Sequence, residues 1–265
     1  MENAGKTDAR YALITEAPGS KATSEQIERL YQRYCFARQF CAGKDVLEAA
    51  CGTGIGLRYL AEKARSVIGI DIDEKNIEIA RSLCRGADKV RVELMDAQEI
   101  RLADGAVDTV LLFEALYYLT DPGRFIAEAH RVLKPGGVLI ICTVNRNWDD
   151  FHPSPFSHAY FSVPELSGLI RQRFDPAALY GGFPVGRKGA KDRAISLIKR
   201  LATKFDLIPG SLKARAFLKR IFIGKLSPLP DILSDGMVPY REPAEILSDR
   251  ICADFKIIYA LAHKR

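Results

Sequence analysis

Apolar residues recur at about helical spacing over 24–42, at Ile27, Leu30, Tyr31, Tyr34 and Phe36. Ser24 suits the N-cap and Gly43 the stop. Short apolar runs then alternate with helical patterns. Strands are predicted over 45–50, 66–70, 90–95, 107–113 and 138–144, and helices over 54–64, 74–84 and 122–133. Lys134-Pro135-Gly136-Gly137 closes the last of these helices. Near-continuous Val/Ile/Leu strands between helices predict an α/β fold with a parallel sheet covered on both faces. Right-handed crossovers make that sheet doubly wound, with ligands at the carboxyl ends of its strands.

The pattern changes after Asn145. Residues 146–162 are aromatic and polar, with Pro153 and Pro155, and read as a long loop. A helix over 163–174, a strand over 177–180 and a final strand over 255–262 follow, with a basic, largely helical stretch over 187–235 between the last two. Residues 1–22 read as a polar arm. The expected organisation is an arm over 1–23, a core over 24–186, a basic helical insertion over 187–250 and a completing strand over 251–265.

A length of 265 residues, with 48% hydrophobic and 27% charged residues, suits one large domain or one domain with an insertion and excludes a disordered chain or a small disulfide scaffold. The formal charge of +6 is concentrated: residues 187–225 hold twelve Lys/Arg and two Asp/Glu, so the remainder is net acidic. Six cysteines, at 35, 41, 51, 84, 142 and 252, form no CxxC pair and argue against a zinc site. A reducing, cytoplasmic setting is expected. No signal-peptide core and no apolar run of membrane-spanning length stands in the sequence.

Candidate chemistry begins at Asp45-Val46-Leu47-Glu48-Ala49-Ala50-Cys51-Gly52-Thr53-Gly54-Ile55-Gly56, between a strand and a helix. Glycines there let backbone approach a ligand. A dinucleotide fingerprint starting at Gly52 requires glycine at 57, and that residue is Leu57. Asp71 ends the second strand, where an acid can accept from both hydroxyls of a ribose. Its alternative is a helix cap, a role Asp73 fits better. Asp96 follows the third strand and suits either an adenine amino group, with the Ala97 amide beside it, or a turn aspartate.

Five segments in order resemble the class I S-adenosylmethionine-dependent methyltransferases, of the methyltransferase type 11 group. They are VLEAACGTGIG (46–56), VIGIDID (67–73), ELMDAQEI (93–100), DTVLLFEALYYLTDP (108–122) and RVLKPGGVLII (131–141). The resemblance implies a Rossmann-like, seven-stranded, mostly parallel sheet and S-adenosylmethionine as cofactor. It implies Glu48 near the methionyl amino group, Gly52 and Gly54 cradling the nucleoside, Asp71 and Ile72 at the ribose end, Asp96 and Ala97 at adenine, and Phe113 beside the methionyl group. Tyr34 and Arg38 are candidates on a first helix closing over the cofactor. Two departures stand out. Ala50 occupies the place of the family's first glycine, and Glu114 is followed by Tyr118 where many relatives show Glu-x-x-x-His.

Methyl transfer needs alignment, exclusion of water and sometimes a base. His158 and then His152, on the loop after strand five, are the candidate bases. No G-x-S-x-G elbow occurs. The expected activity is methyl transfer to oxygen or nitrogen of a small molecule or glycan. A membrane-surface quinone or lipid methyltransferase is the alternative. A binding protein with a vestigial cofactor site and a nicotinamide oxidoreductase are the alternatives of other classes. The basic stretch over 187–225 is a solvated cap, a contact with anionic membrane, or a lure for an anionic substrate. Nucleic acid is disfavoured for want of a recognition signature. A monomer or homodimer is expected.

Overall fold

The computed structural model describes residues 16–174, 177–186 and 226–265. The first helix, α1 (Ser24–Arg38), follows a three-residue strand, β1 (Lys21–Thr23). Its cap is Thr23, one residue earlier than the pattern suggested. The Thr23 side chain accepts from the Gln26 amide, and Gln26 returns the bond to the Thr23 amide, closing a capping box.

The core then alternates: β2 (Asp45–Ala49), α2 (Leu57–Ala61), β3 (Ser66–Asp71), α3 (Glu74–Leu83), β4 (Val90–Leu94), β5 (Val107–Phe113), α4 (Pro122–Val132), β6 (Leu133–Val144), α5 (Val163–Ile170) and β7 (Ala177–Pro184). Three more strands follow: β8 (Leu226–Pro228), β9 (Ala244–Ile246) and β10 (Phe255–His263). The α2 helix is shorter than the 54–64 expected, because the glycine-rich turn consumes the residues before Leu57.

The main sheet has the order β4-β3-β2-β5-β6-β10-β7-β9. Strands β4, β3, β2, β5 and β6 are parallel, and β10 runs antiparallel between β6 and β7. The doubly wound α/β fold is as expected, with an eighth strand, β9, added at the edge beyond β7. Successive strand residues serve opposite faces. Val46, Leu111 and Ile140 pack with Leu30, Leu57 and Ile77 on one side. Leu47, Leu112 and Ile141 pack with Phe125, Ile126 and Leu166 on the other. The chain leaves β2 towards β3 and β4, then returns to β5 on the opposite flank. That reversal opens a crevice at the carboxyl ends of β2 and β5.

Residues 226–250, expected within a helical insertion, hold β8 and β9 and no helix. Strand β8 pairs with β1, joining this stretch to the arm. The basic 187–225 stretch, expected to be helical, lies outside the described residues. Residues 235–241 strap the outer side of α1. Tyr31 accepts from the Gly236 amide at 2.9 Å, and Gln32 bonds Pro239 O at 2.7 Å and the Arg241 amide at 2.9 Å. The opposite side of α1 faces the crevice. Among the described residues, no helix is long and apolar enough to cross a membrane.

Candidate active site

A cavity of about 470 Å³ lies at the carboxyl edge of β2, β3, β4 and β5, roofed by α1. Its floor is the turn after β2. Ala50 sits in the left-handed region at φ 53°, a conformation that costs an L-residue energy. Gly54, at φ 73°, packs against α3: a Cβ there would lie 2.8 Å from the Cβ of Ala80. Gly56 makes room for α1, since its Cβ would lie 2.0 Å from Cε1 of Tyr34.

Asp71 ends β3 with its carboxylate buried against this turn. Oδ2 accepts from the Gly52 amide at 2.9 Å, and Oδ1 accepts from the Asp73 amide at 2.9 Å and Asn76 Nδ2 at 3.3 Å. Burial pushes its pKa up against these bonds. Asp73 caps α3 by accepting from the Asn76 amide at 3.0 Å, which separates the two aspartates' tasks. Ile72 beside them is 54% exposed, an apolar side chain on the cavity wall. Asp96 accepts from the Gln98 amide at 2.8 Å, the turn role, and also lines the cavity.

Glu48 on β2 is the most deeply placed acid. Tyr34 donates to its Oε1 at 2.5 Å, while Oε2 is buried with no partner among the described residues. Burial pushes the Glu48 carboxyl up to about 7, against the pull of Tyr34 and Arg33. The Tyr34 ring meets Phe113 edge-on at 5.1 Å. Tyr34, Gln26, Arg29 and Arg33 bring the inner side of α1 into the cavity. Arg33 is 5% exposed and forms a two-pronged ion pair with Glu16.

Glu114 follows β5 in the left-handed region at φ 50°, its amide held by Cys142 O at 2.8 Å. Tyr117 donates to its Oε2 at 2.9 Å, and burial pushes its pKa up. Tyr160, from the loop after β6, stacks on Tyr117 at 4.9 Å, and Phe151 meets Tyr160 edge-on at 4.7 Å. The His158 amide donates to Tyr117 O at 2.8 Å. The aromatic loop is thereby fastened to the turn that carries Tyr117.

Residues 47–141 match the family model described as a methyltransferase domain. This segment is similar to the S-adenosylmethionine-dependent methyltransferases. A probable S-adenosylmethionine-dependent methyltransferase of Mycolicibacterium smegmatis is 40% identical over 149 residues, covering 54% of this chain and 55% of that protein. A demethylmenaquinone methyltransferase of Tropheryma whipplei is 33% identical over 143 residues, covering 52% and 56%. The chain thus spans about half the length of these curated relatives. A crystal structure from Thermotoga maritima, of an S-adenosylmethionine-dependent methyltransferase titled a possible histamine N-methyltransferase, superposes with a TM-score of 0.56. It is 18% identical over 100% of this chain and 97% of that one, and it shows the fold.

The fold brings nearly all of the expected residues to one cavity. Glu48, Ala50, Gly52, Asp71, Ile72, Asp96, Ala97, Phe113 and Tyr34 line it. Gly54 lies beside the lining, packed against Ala80 of α3. Arg38 points away, lying over the Tyr59 ring at 4.1 Å and pairing with Glu62 and Asp235. His158 and His152 are exposed and outside the lining. Reading the sequence missed Glu16, Arg29, Arg33, Glu114 and Tyr117. The 3-then-4 spacing of Gln26, Arg29 and Arg33 put one polar stripe on α1 and was the available signal for two of them.

Proposed function

We propose that this protein transfers a methyl group from S-adenosylmethionine to an oxygen or nitrogen of a small molecule or glycan. The buried, unpartnered Oε2 of Glu48 carries the reading. An unsatisfied buried carboxylate oxygen is costly, and an ammonium such as that of the methionyl group satisfies it. The other walls fit the nucleoside. Asp71 holds the turn and presents a carboxylate to ribose hydroxyls, Ile72 offers an apolar face, and Asp96 with Ala97 suits the edge of adenine.

The bound cofactor supplies an electrophilic methyl on a sulfonium. The chain's own residues orient the ligand and exclude water. Tyr34 and Phe113 close the side of the cavity above Glu48. Glu114 is the wall group placed to take a proton from the acceptor, with Tyr117 holding its carboxylate. His158 and His152 stand outside the lining, so either would have to be brought in with its loop to serve as base.

A second reading, a quinone or lipid acceptor, is favoured by the aromatic wall of Tyr117 and Tyr118, backed by Tyr160, and by the similarity to a demethylmenaquinone methyltransferase.

Calorimetric titration with S-adenosylmethionine, S-adenosylhomocysteine and NADH tests the cofactor. Micromolar binding of the first two and none of NADH is expected. Labelled-methyl transfer to sugars, lipid-linked glycans and quinols then separates the two acceptor readings. Binding of NADH alone would overturn both.

A further inference from the structure

The Arg33–Glu16 pair joins a buried partner to a replaceable one. The Arg33 side chain is 6% exposed and that of Glu16 is 35% exposed. Both line the cavity. Arg33 has a further buried, unpartnered atom, Nε. The guanidinium lies 5.5 Å from the centre of the Tyr34 ring, and Tyr34 holds Glu48. Arg33 also pulls electrostatically on Glu48, and both line the same cavity. An α-amino acid carries its ammonium and carboxylate on a single carbon. A receptor for one needs an acid and a guanidinium side by side, and these two residues supply them.

Building on the proposed cofactor, we propose that Glu16 occupies, on Arg33, the place of the methionyl carboxylate, so that ligand binding displaces the Glu16 side chain from Arg33. The exchange keeps the buried charge balanced, because one carboxylate replaces another on the same guanidinium. Only Glu16 can leave at low cost: its side chain already reaches solvent, whereas an unpaired Arg33 would remain buried. The Glu16 carbonyl accepts from Thr53 Oγ1 at 2.8 Å, so release of the side chain also loosens a tie to the glycine-rich turn.

The test uses the full chain and two ligands, S-adenosylhomocysteine and 5′-methylthioadenosine, which shares the nucleoside and thioether and lacks the amino acid. Glu16→Gln should tighten S-adenosylhomocysteine binding by about tenfold, and Arg33→Gln should weaken it by about tenfold or more. Methylthioadenosine affinity should stay within about twofold in both variants, which also reports that each is folded. In the Arg33→Gln background the Glu16→Gln gain should vanish. If S-adenosylhomocysteine binds the wild type and Glu16→Gln leaves that affinity unchanged or lowers it, Glu16 is not a competitor and the proposal falls. If the wild type binds neither ligand, the cofactor reading fails first and takes this inference with it.

Discussion

The ring of Tyr34 occupies the space that any side chain on Gly56 would need, with a Cβ there 2.0 Å from Cε1. One glycine thus lets α1 reach Glu48. Gly56→Ala should destabilise the fold by about 1–3 kcal/mol, as overpacking of a filled site does. The displaced ring would also give up its bond to Glu48 and its edge contact with Phe113. Denaturant unfolding checks the cost. In a Tyr34→Ala background the same substitution should cost little, and an equal cost in both backgrounds would dissociate the two residues.

Glu48 gives a pH signature. Its folded pKa, about 7, lies above its ordinary value of 4.5. A raised acid contributes stability below the unfolded pKa, and that contribution is lost as pH rises through the folded one. Relative to Glu48→Gln, the wild type should therefore lose up to about 3 kcal/mol between pH 4.5 and 7. Binding runs the other way, because an ammonium needs the ionised carboxylate. S-adenosylhomocysteine affinity should rise through the same window and level off above it, and be flat for Glu48→Gln. Parallel stability curves for the two proteins would contradict the assignment.

Asp71→Ala should weaken binding of S-adenosylhomocysteine by about 1–3 kcal/mol, because ribose hydroxyls and the Gly52 amide lose their acceptor. Calorimetry on a variant shown by its melting curve to be folded decides the matter. Unchanged affinity would leave Asp71 with the turn alone.

Ala50 holds a left-handed conformation at φ 53°. Glycine relieves that strain, at some cost in chain entropy. Ala50→Gly should stabilise the protein by up to about 1 kcal/mol, and a lower unfolding midpoint would show that the methyl group contributes packing worth more than the strain.

The parallel order of the core and the floor of the cavity were legible along the chain. Runs buried on both faces read as strands, and an acid or glycine at a strand's end falls at the ligand edge of any doubly wound sheet. Asp71 and Asp96 were marked out that way, Glu48 by the resemblance of segment 46–56 to a known family, and Asp73 was recognised as the cap. These are local features, fixed by residues a few positions apart. The roof was not legible, because its contacts join distant segments. Arg33 meets Glu16 across β1, Tyr34 meets Glu48 on β2 and Gly56 in the turn after it, and Tyr160 meets Tyr117 across β6. The two loop histidines carry suitable chemistry, yet loop packing leaves them exposed, while burial perturbs Glu114, which composition did not mark out. Periodicity determines which face of an element is apolar. Only the packed fold decides which polar side chains are taken out of water together, and that desolvation gives Glu48, Arg33 and Glu114 their chemistry.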